Sequence, residues 1–248
     1  MKGWHWREYA DEFAEVALLL FLSLSAVGLA GYVTGPPFVQ RLAIGVMVGA
    51  TVVVLIYSPM GLRSGAHMNP CVTLGFWRMG KVANRDVLGY IAAQFAGGLL
   101  GVGLFAALFP APAKAERYIA TVPGPSGMVL AFLAELFLAF TLKLTLLRFA
   151  VSPRKQFTGV VAGLLVMLFI TLEAPISGMS INPARSFASN VFSGDIAVLW
   201  IYFVAPLLGM LSATEVFQRR SEEIPCAKWR HHPNVPCIHC GQGLGENS

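Results

Sequence analysis

Apolar residues fill most of the chain in six long runs, and polar residues are concentrated between them. A helix needs about 20 mostly apolar residues to cross the hydrocarbon core of a bilayer. Six stretches meet this requirement, near 13–33, 42–62, 87–109, 127–148, 158–174 and 196–217. The pattern predicts six transmembrane helices, and an even number of crossings puts both ends of the chain on one side of the membrane.

Two shorter stretches, 69–79 and 182–192, look helical but are too brief to cross a bilayer. Both begin with Asn-Pro, which suits a helix start because Asn is a good N-cap and the missing N–H of Pro costs nothing in the first turn. Each follows a nearly identical heptapeptide, SGAHMNP (64–70) or SGMSINP (177–183). These stretches are predicted to be half-helices.

The recurrence of this motif indicates an internal duplication. Repeat one covers about 5–109 and repeat two about 127–217, and the Pro-rich stretch 110–126 reads as an irregular link between them. Each repeat has three spans, an odd number, so the second must enter the membrane from the opposite face. The expected fold is an all-α membrane protein with six transmembrane helices plus two half-helices in two inverted repeats, forming a domain over 1–217.

Composition and charge agree with a membrane protein. The 248 residues are 56% hydrophobic and 12% charged, whereas soluble domains carry about 25% charged residues. The net charge of +5 comes from basic residues that flank the spans, mostly on the side of the termini. This is the positive-inside pattern, so we expect a multi-pass protein of the cell (inner) membrane with both termini cytoplasmic and no nucleic-acid partner.

The paired motif predicts a path for small solutes. Irregular backbone at membrane depth survives only where protein covers it or it lines water, because an unpaired polar group in hydrocarbon costs several kcal/mol. Two helix N-termini meeting there would each carry about half a positive charge, and Asn69 and Asn182 would offer amide donors. Such a site would repel cations and protons and pass neutral molecules. Arg185 is interpreted as a further pore-lining donor, with snorkelling to the outer interface as the alternative.

The duplicated boxes NPC and NPAR, together with six spans, resemble those of the aquaporin and aquaglyceroporin family (major intrinsic proteins). The resemblance covers about 5–217, and Gln94-x-x-Gly97 and the stretch 200–209 agree with it. It implies a homotetramer with one conducting pore in each subunit, no covalent chemistry and no required cofactor. The pore boxes would be formed by Asn69, Pro70, Cys71, Asn182, Pro183 and Ala184.

The resemblance also implies an outer selectivity filter. Its four positions map to Val48 or Gly49, Ile170, Met179 and Arg185. A water-selective member would have an aromatic residue and a histidine at the first two positions, so this filter is expected to be wider and more apolar. Ser186 and the pair Tyr202-Phe203, in contrast, are typical of water channels. We expect a passive channel for water and small uncharged solutes such as glycerol, urea, or boric or arsenous acid, with a strict water channel as the alternative.

Several polar residues near the boxes carry two interpretations each. Cys71 replaces the usual alanine and is either a small buried hydrophobe or a pore-adjacent thiol. His67 is either a hydrogen-bonded structural residue of the vestibule or a pH gate. Glu15 and Glu135 lie at matching places near the starts of the first and fourth spans. They are either structural acceptors for the half-helix loops or proton-relay groups. Lys143 is expected to snorkel toward the cytoplasmic surface.

The last segment, 218–248, differs sharply from the rest because it holds three of the four Cys and three of the five His. Its residue types fit part of a tetrahedral zinc site, and in a reducing cytoplasm a metal is favoured over a disulfide. The candidate ligands are Cys226, His231, His232, Cys237 and Cys240, with His239 as a further option for the fourth donor. An unstructured or redox-sensitive tail is the alternative.

Three other classes of function fit the sequence less well. Inverted repeats with broken helices also build coupled transporters, but no paired ion-binding residues accompany the boxes. A metal- or redox-sensing membrane protein would use the membrane part mainly to anchor the tail. An enzyme is not expected, because the sequence contains no nucleophile–base set, phosphate loop or cofactor motif.

Overall fold

The computed structural model describes residues 3–220 and 223–241, and all regular structure within them is helical. Residues 1–2, 221–222 and 242–248 of the two predicted segments lie outside the described residues. Ten α-helices follow in chain order: α1 Trp6–Ala30, α2 Pro37–Tyr57, α3 Pro59–Ser64, α4 Pro70–Arg78, α5 Asn84–Leu108, α6 Pro110–Ala115, α7 Gly127–Ala150, α8 Thr158–Ser177, α9 Pro183–Ser193 and α10 Leu199–Gln218. In this described part of the chain, α1, α2, α5, α7, α8 and α10 are the helices long and apolar enough to cross a membrane.

The structure confirms the predicted fold class, with α4 and α9 as the two half-helices. The first span begins earlier than predicted, at Trp6, because charged residues in its first turns are kept helical by tertiary contacts. The carboxylate of Asp11 accepts two hydrogen bonds from Arg63, at 2.5 Å from Nε and 2.6 Å from Nη2. An apolar run alone therefore underestimates the length of α1.

The link 110–126 is more ordered than its composition predicts. It contains α6, which Pro110 starts at the first helical position, and a 3-10 turn over Arg117–Ile119. The guanidinium of Arg117 donates from Nη2 to both carboxylate oxygens of Asp195 at 2.8 Å. This ion pair ties the link to the loop that follows α9.

The two repeats pack around each other with matching contacts. Helix α1 packs against α5, α7 packs against α10, and α2 crosses α8. The half-helices are exchanged, since α4 of the first repeat contacts α10 of the second and α9 contacts α5. At the α2–α8 crossing, a Cβ on Gly49 would lie 2.5 Å from the carbonyl oxygen of Gly163, and a Cβ on Gly163 would lie 2.5 Å from that of Gly49. This reciprocal contact marks the centre of the inverted arrangement.

Lys143 does not snorkel to a surface. It lies in α7 with a side chain that is only 1% exposed, and its Nζ sits 3.5 Å from the centroid of the Phe76 ring of α4. Gly75 leaves room for it, since a Cβ there would lie 2.8 Å from Cε of the lysine. The prediction that Lys143 snorkels is therefore wrong, because its side chain turns inward to the Phe76 ring of α4.

Candidate functional site: a pore between two half-helices

The two loops that lead into α4 and α9 have the same unusual backbone. Each starts with a left-handed glycine, Gly65 (φ 102°) or Gly178 (φ 81°). Two further residues in each loop have positive φ near 50°, namely Ala66 and Met68 in the first loop and Met179 and Ile181 in the second. The repeated heptapeptides thus fold alike, and the strained turns aim the two half-helices toward each other.

The two Asn residues of the boxes hold the half-helix starts together. Asn69 caps α4 by accepting the N–H of Cys71 at 2.9 Å, and Asn182 caps α9 by accepting the N–H of Ala184 at 3.1 Å. Each side-chain amide also donates across the centre: Asn69 Nδ2 to Ile181 O, and Asn182 Nδ2 to Met68 O, both at 2.7 Å. Since each Nδ2 carries two hydrogens, one donor per amide is left for the cavity that both residues line.

A buried carboxylate supports each loop from behind. Glu135 of α7 accepts the backbone N–H of Ser180 at 2.7 Å and of Ile181 at 2.6 Å. In the first repeat the same task falls to Glu12, which accepts the N–H of His67 at 2.7 Å and of Met68 at 2.8 Å. Sequence reasoning missed Glu12, because it matched Glu135 with Glu15 instead.

Glu15 has a smaller part in this support. It lies one turn further along α1, is fully buried, and accepts from the hydroxyl of Ser64 at 3.0 Å. Ser177 makes the equivalent bond to Glu135 at 2.6 Å. The functions that one carboxylate combines in the second repeat are therefore divided between Glu12 and Glu15 in the first.

A cavity of about 340 Å³ runs past the paired asparagines. Arg41 and Glu116 line it toward the face opposite the termini, and His67 and Trp229 line it toward the face that carries the termini. Most of the wall is aliphatic, including Val27, Ile44, Val52, Ile56, Leu142 and Val166. The polar groups are few, and those at the middle of the cavity come from the loops and half-helix starts, such as Asn69 and Asn182.

The predicted filter positions lie in this wall. Val48, Ile170, Met179 and Arg185 all line the cavity, whereas Gly49 faces Gly163 at the α2–α8 crossing. Within the described part of the chain, Nη1 of Arg185 is buried without a hydrogen-bond partner. Among these positions, Arg185 is the one that brings a charged donor to the cavity wall.

Cys71 lies away from this cavity. Its side chain is 1% exposed and lines a separate apolar crevice between α5 and α10, together with residues such as Phe95 and Leu207. This position agrees with the interpretation of Cys71 as a small buried hydrophobe.

His67 is held by hydrogen bonds on both ring nitrogens. Nε2 lies 3.0 Å from the carbonyl oxygen of Ala227, and Nδ1 lies 3.0 Å from the hydroxyl of Thr73. Because a carbonyl oxygen only accepts, Nε2 is the protonated nitrogen and Nδ1 accepts from Thr73. The ring stacks on Phe76 with centroids 5.0 Å apart. His67 is thus a fixed part of the vestibule wall, and its partner Ala227 comes from the tail.

The tail brings four of the predicted ligands together. The side-chain donor atoms of Cys226, His231, Cys237 and Cys240 all lie within 4.8 Å of one another. The Sγ atoms of Cys226 and Cys237 are 3.5 Å apart, and Sγ of Cys240 is 3.2 Å from Nε2 of His231. The hydrogen bond from the Cys226 thiol, with Lys228 nearby, holds the pKa of Cys237 well below its usual range, which favours the thiolate form that metals bind.

The other two histidines of the tail lie elsewhere. Nδ1 of His232 accepts the backbone N–H of Asn234 at 3.1 Å. His239 stacks on His67 with ring centroids 5.9 Å apart, and burial lowers its pKa to about 4. The donor set that the structure assembles is therefore three sulfurs and one imidazole.

Six spanning helices around a cavity, with two half-helices meeting inside it, define a channel-type membrane protein. The chain belongs to the major intrinsic protein family, whose sequence profile matches residues 2–217. Members of this family are channels rather than enzymes and need no cofactor, which confirms the resemblance and the non-enzymatic class read from the sequence.

Individual relatives agree with this assignment, and a solved structure shares the fold. The chain is 34% identical over 208 residues to aquaporin NIP3-1 of Arabidopsis thaliana, covering 81% of this chain and 63% of the relative. It is 37% identical over 190 residues to the probable aquaporin AqpM of Archaeoglobus fulgidus, covering 73% of this chain and 77% of the relative. The X-ray structure of the aquaglyceroporin from Plasmodium falciparum superimposes with a TM-score of 0.72 at 22% identity, covering 86% of this chain and 95% of that one. The match to the Arabidopsis protein thus spans less than two thirds of its length.

Proposed function

We propose that the protein is a passive channel for water and small uncharged solutes, such as glycerol, urea, or boric or arsenous acid. The observation that carries this is the aliphatic cavity that is lined by both asparagine amides and by Arg185. Amide and guanidinium donors suit water and hydroxyl oxygens, while aliphatic walls suit the carbon side of a polyol. A passing cation would meet donors rather than acceptors and would lose its hydration shell without replacement, at a cost of several kcal/mol.

The four filter residues support solutes larger than water. Val48, Ile170 and Met179 carry no polar side-chain group for water to bind, and Arg185 is the single charged donor among them. We propose Val48 as the first filter position, since Gly49 packs against Gly163. The half-helix N-termini, with about half a positive charge each, add to the rejection of cations and protons.

The test is stopped-flow light scattering of proteoliposomes, carried out in chelator-containing buffer. We expect fast shrinkage under an impermeant osmolyte, followed by reswelling when glycerol or urea is the osmolyte. Arg185→Ala is expected to raise ion leakage, and the exposed Arg154→Ala is the matched control. Water flux without any solute flux would identify a strict water channel, and saturable, ion-dependent uptake would identify a coupled transporter.

Three finer assignments belong to the same proposal. We propose a homotetramer with one pore per subunit, in the inner membrane, with both termini cytoplasmic. Basic residues of α3, α4 and the tail, such as Arg63, Arg78 and Arg230, support this orientation because positive charge is retained in the cytoplasm. Labelling of a single cysteine at Ser152 or Lys114 from outside whole cells tests it: only the cysteine at Lys114 should react.

We also propose that the tail binds one Zn²⁺ through Cys226, His231, Cys237 and Cys240. Around a tetrahedral Zn²⁺, two sulfurs lie about 3.8 Å apart and a sulfur and a nitrogen about 3.5 Å apart. The distances of 3.5 Å and 3.2 Å in the tail are close to these values. Elemental analysis of protein purified without added chelator should give one zinc per subunit, and much less than one would contradict the proposal.

A further inference from the structure

The tail does not hang free below the channel but returns to its mouth. Residues 227–230, named here the strap, contact the loop that leads into α4. Ala227 accepts the ring N–H of His67 at 3.0 Å, and Nζ of Lys228 donates to the carbonyl oxygen of Arg63. A Cβ on Gly65 would lie 3.0 Å from Cγ of Lys228. The strap is therefore packed closely on the backbone of the vestibule.

The middle of the strap enters the cavity. Trp229 lines the same cavity as Asn69 and Arg185, and its ring lies 5.2 Å from that of Phe76 in α4. The next residue, Arg230, places its guanidinium 5.8 Å from the ring of Tyr57 at the end of α2. The strap thus runs across the mouth from α4 to α2, and the bulky ring of Trp229 lies between these two helices.

The strap is bracketed by metal ligands. Cys226 directly precedes it and His231 directly follows it, so a metal bound to both would close 226–231 into one short loop. Closing a flexible loop removes much of its conformational freedom, and metal binding supplies the free energy for that ordering. The position of Trp229 is thereby coupled to occupancy of the Cys and His site.

The other two ligands form a preorganised half-site. The backbone N–H of His239 donates to Sγ of Cys237 at 3.4 Å, and the N–H of Gly241 donates to the carbonyl oxygen of Cys237 at 3.0 Å. Gly241 has φ 73°, a conformation that a glycine adopts without strain. This turn presents Cys237 and Cys240 together, ready to receive a metal already held by the strap.

We propose that Zn²⁺ at Cys226, His231, Cys237 and Cys240 seats the strap in the mouth, with Trp229 as a plug, and so lowers permeation. Loss of the metal releases the strap and opens this end of the pore. The inference rests on the proposed channel function and zinc site, and it adds that the ion regulates transport. A rise in free zinc on the side of the termini is the signal to which such a channel responds.

The experiment uses the full chain in proteoliposomes, with Zn²⁺ or a zinc chelator present on both sides of the membrane. We expect water flux several-fold higher with the chelator than with Zn²⁺. Trp229→Ala should conduct equally under both conditions while still binding one zinc per subunit. His231→Ala should lose both zinc and the response, whereas His232→Ala, whose ring lies outside the ligand cluster, should keep both.

The outcomes separate the inference from the function on which it rests. Wild-type protein that binds one zinc and conducts equally with and without it would overturn the plug but leave the channel intact. Metal-free Trp229→Ala that passes neither water nor glycerol would overturn the channel itself. A Cys226–Cys237 disulfide found by mass spectrometry in place of zinc would replace the metal by a redox link and also overturn the inference.

Discussion

Glu12 of α1 and Glu135 of α7 occupy equivalent places in the two repeats and support the two half-helix loops in the same way. Glu12 accepts the N–H of Met68 at 2.8 Å, and Glu135 accepts the N–H of Ile181 at 2.6 Å. The carbonyls of these same two residues accept the asparagine amides from the other loop. Each carboxylate therefore contacts the paired asparagines through one loop residue, Met68 or Ile181.

This relationship predicts the effect of removing Glu12. Glu12→Ala leaves the buried N–H groups of His67 and Met68 without their acceptor, and each such loss costs about 1–3 kcal/mol. We expect the free energy of unfolding to fall by about 2 kcal/mol or more, with a matching loss of water flux as the first loop shifts. Thermal unfolding in detergent and proteoliposome flux measure the two effects.

Glu15→Gln is the control, because Glu15 lies on the same helix one turn away and, among the described residues, accepts a hydrogen bond only from the rotatable hydroxyl of Ser64. Its substitution should cost less than about 1 kcal/mol. A larger loss for Glu15→Gln than for Glu12→Ala would reverse the roles assigned to these two carboxylates.

Glu12 and Glu15 show which features of this structure can be predicted from the sequence and which cannot. Six apolar runs and two Asn-Pro boxes are local signals, and they are sufficient to predict the six spans, both half-helices and their inverted repeat. Glu12 and Glu15, in contrast, are one helical turn apart and look alike in sequence. Which of them meets the loop depends on how α1 packs against a segment more than 50 positions later, and no periodicity encodes that distance.

The tail illustrates the same limit. Its Cys and His spacing predicts a metal site, and the structure assembles one imidazole and three sulfurs from the candidates. The hydrogen bond between His67 and Ala227 joins residues 160 positions apart, so the return of the strap to the channel mouth has no local signature. The location of Trp229 in the cavity, and with it the proposed plug, can be read only from the three-dimensional structure.

The α2–α8 crossing predicts a strict size limit at Gly49. A methyl group there would lie 2.5 Å from the carbonyl oxygen of Gly163 and 3.1 Å from Cβ of Met167. Gly49→Ala should lower the free energy of unfolding by about 1–3 kcal/mol, the usual range for overpacking. Gly28→Ala is the control, because nothing lies within 4 Å of its Cβ position. Equal melting temperatures for the two variants would contradict the close contact.

The position of Cys71 predicts that mercurials do not block the pore through it. Its thiol is buried in the crevice between α5 and α10, outside the solute cavity. In a background with Ser at 226, 237 and 240, we expect water flux to be insensitive to mercuric chloride. Inhibition that Cys71→Ala abolishes would show that the thiol reaches the solute path. The tail substitutions are needed because their thiols would bind mercury at the mouth.

Lys143 provides a test of whether its buried charge holds α4 in place. Its ammonium is stabilised by the Phe76 ring at 3.5 Å and by the carbonyl of Val72 at 3.5 Å. A cation–π contact in a desolvated site contributes about 2 kcal/mol, while burying an ion costs several kcal/mol.

The cost of burial is larger than the gain from the contact, so Lys143→Met, which keeps the volume and removes the charge, should melt at the same temperature as the wild type or higher. Lys143→Ala should melt lower, because truncation of a buried side chain leaves a cavity beside Gly75. If Lys143→Met is instead destabilised as much as Lys143→Ala, the charge itself holds α4, and the contact with Phe76 outweighs the cost of burial.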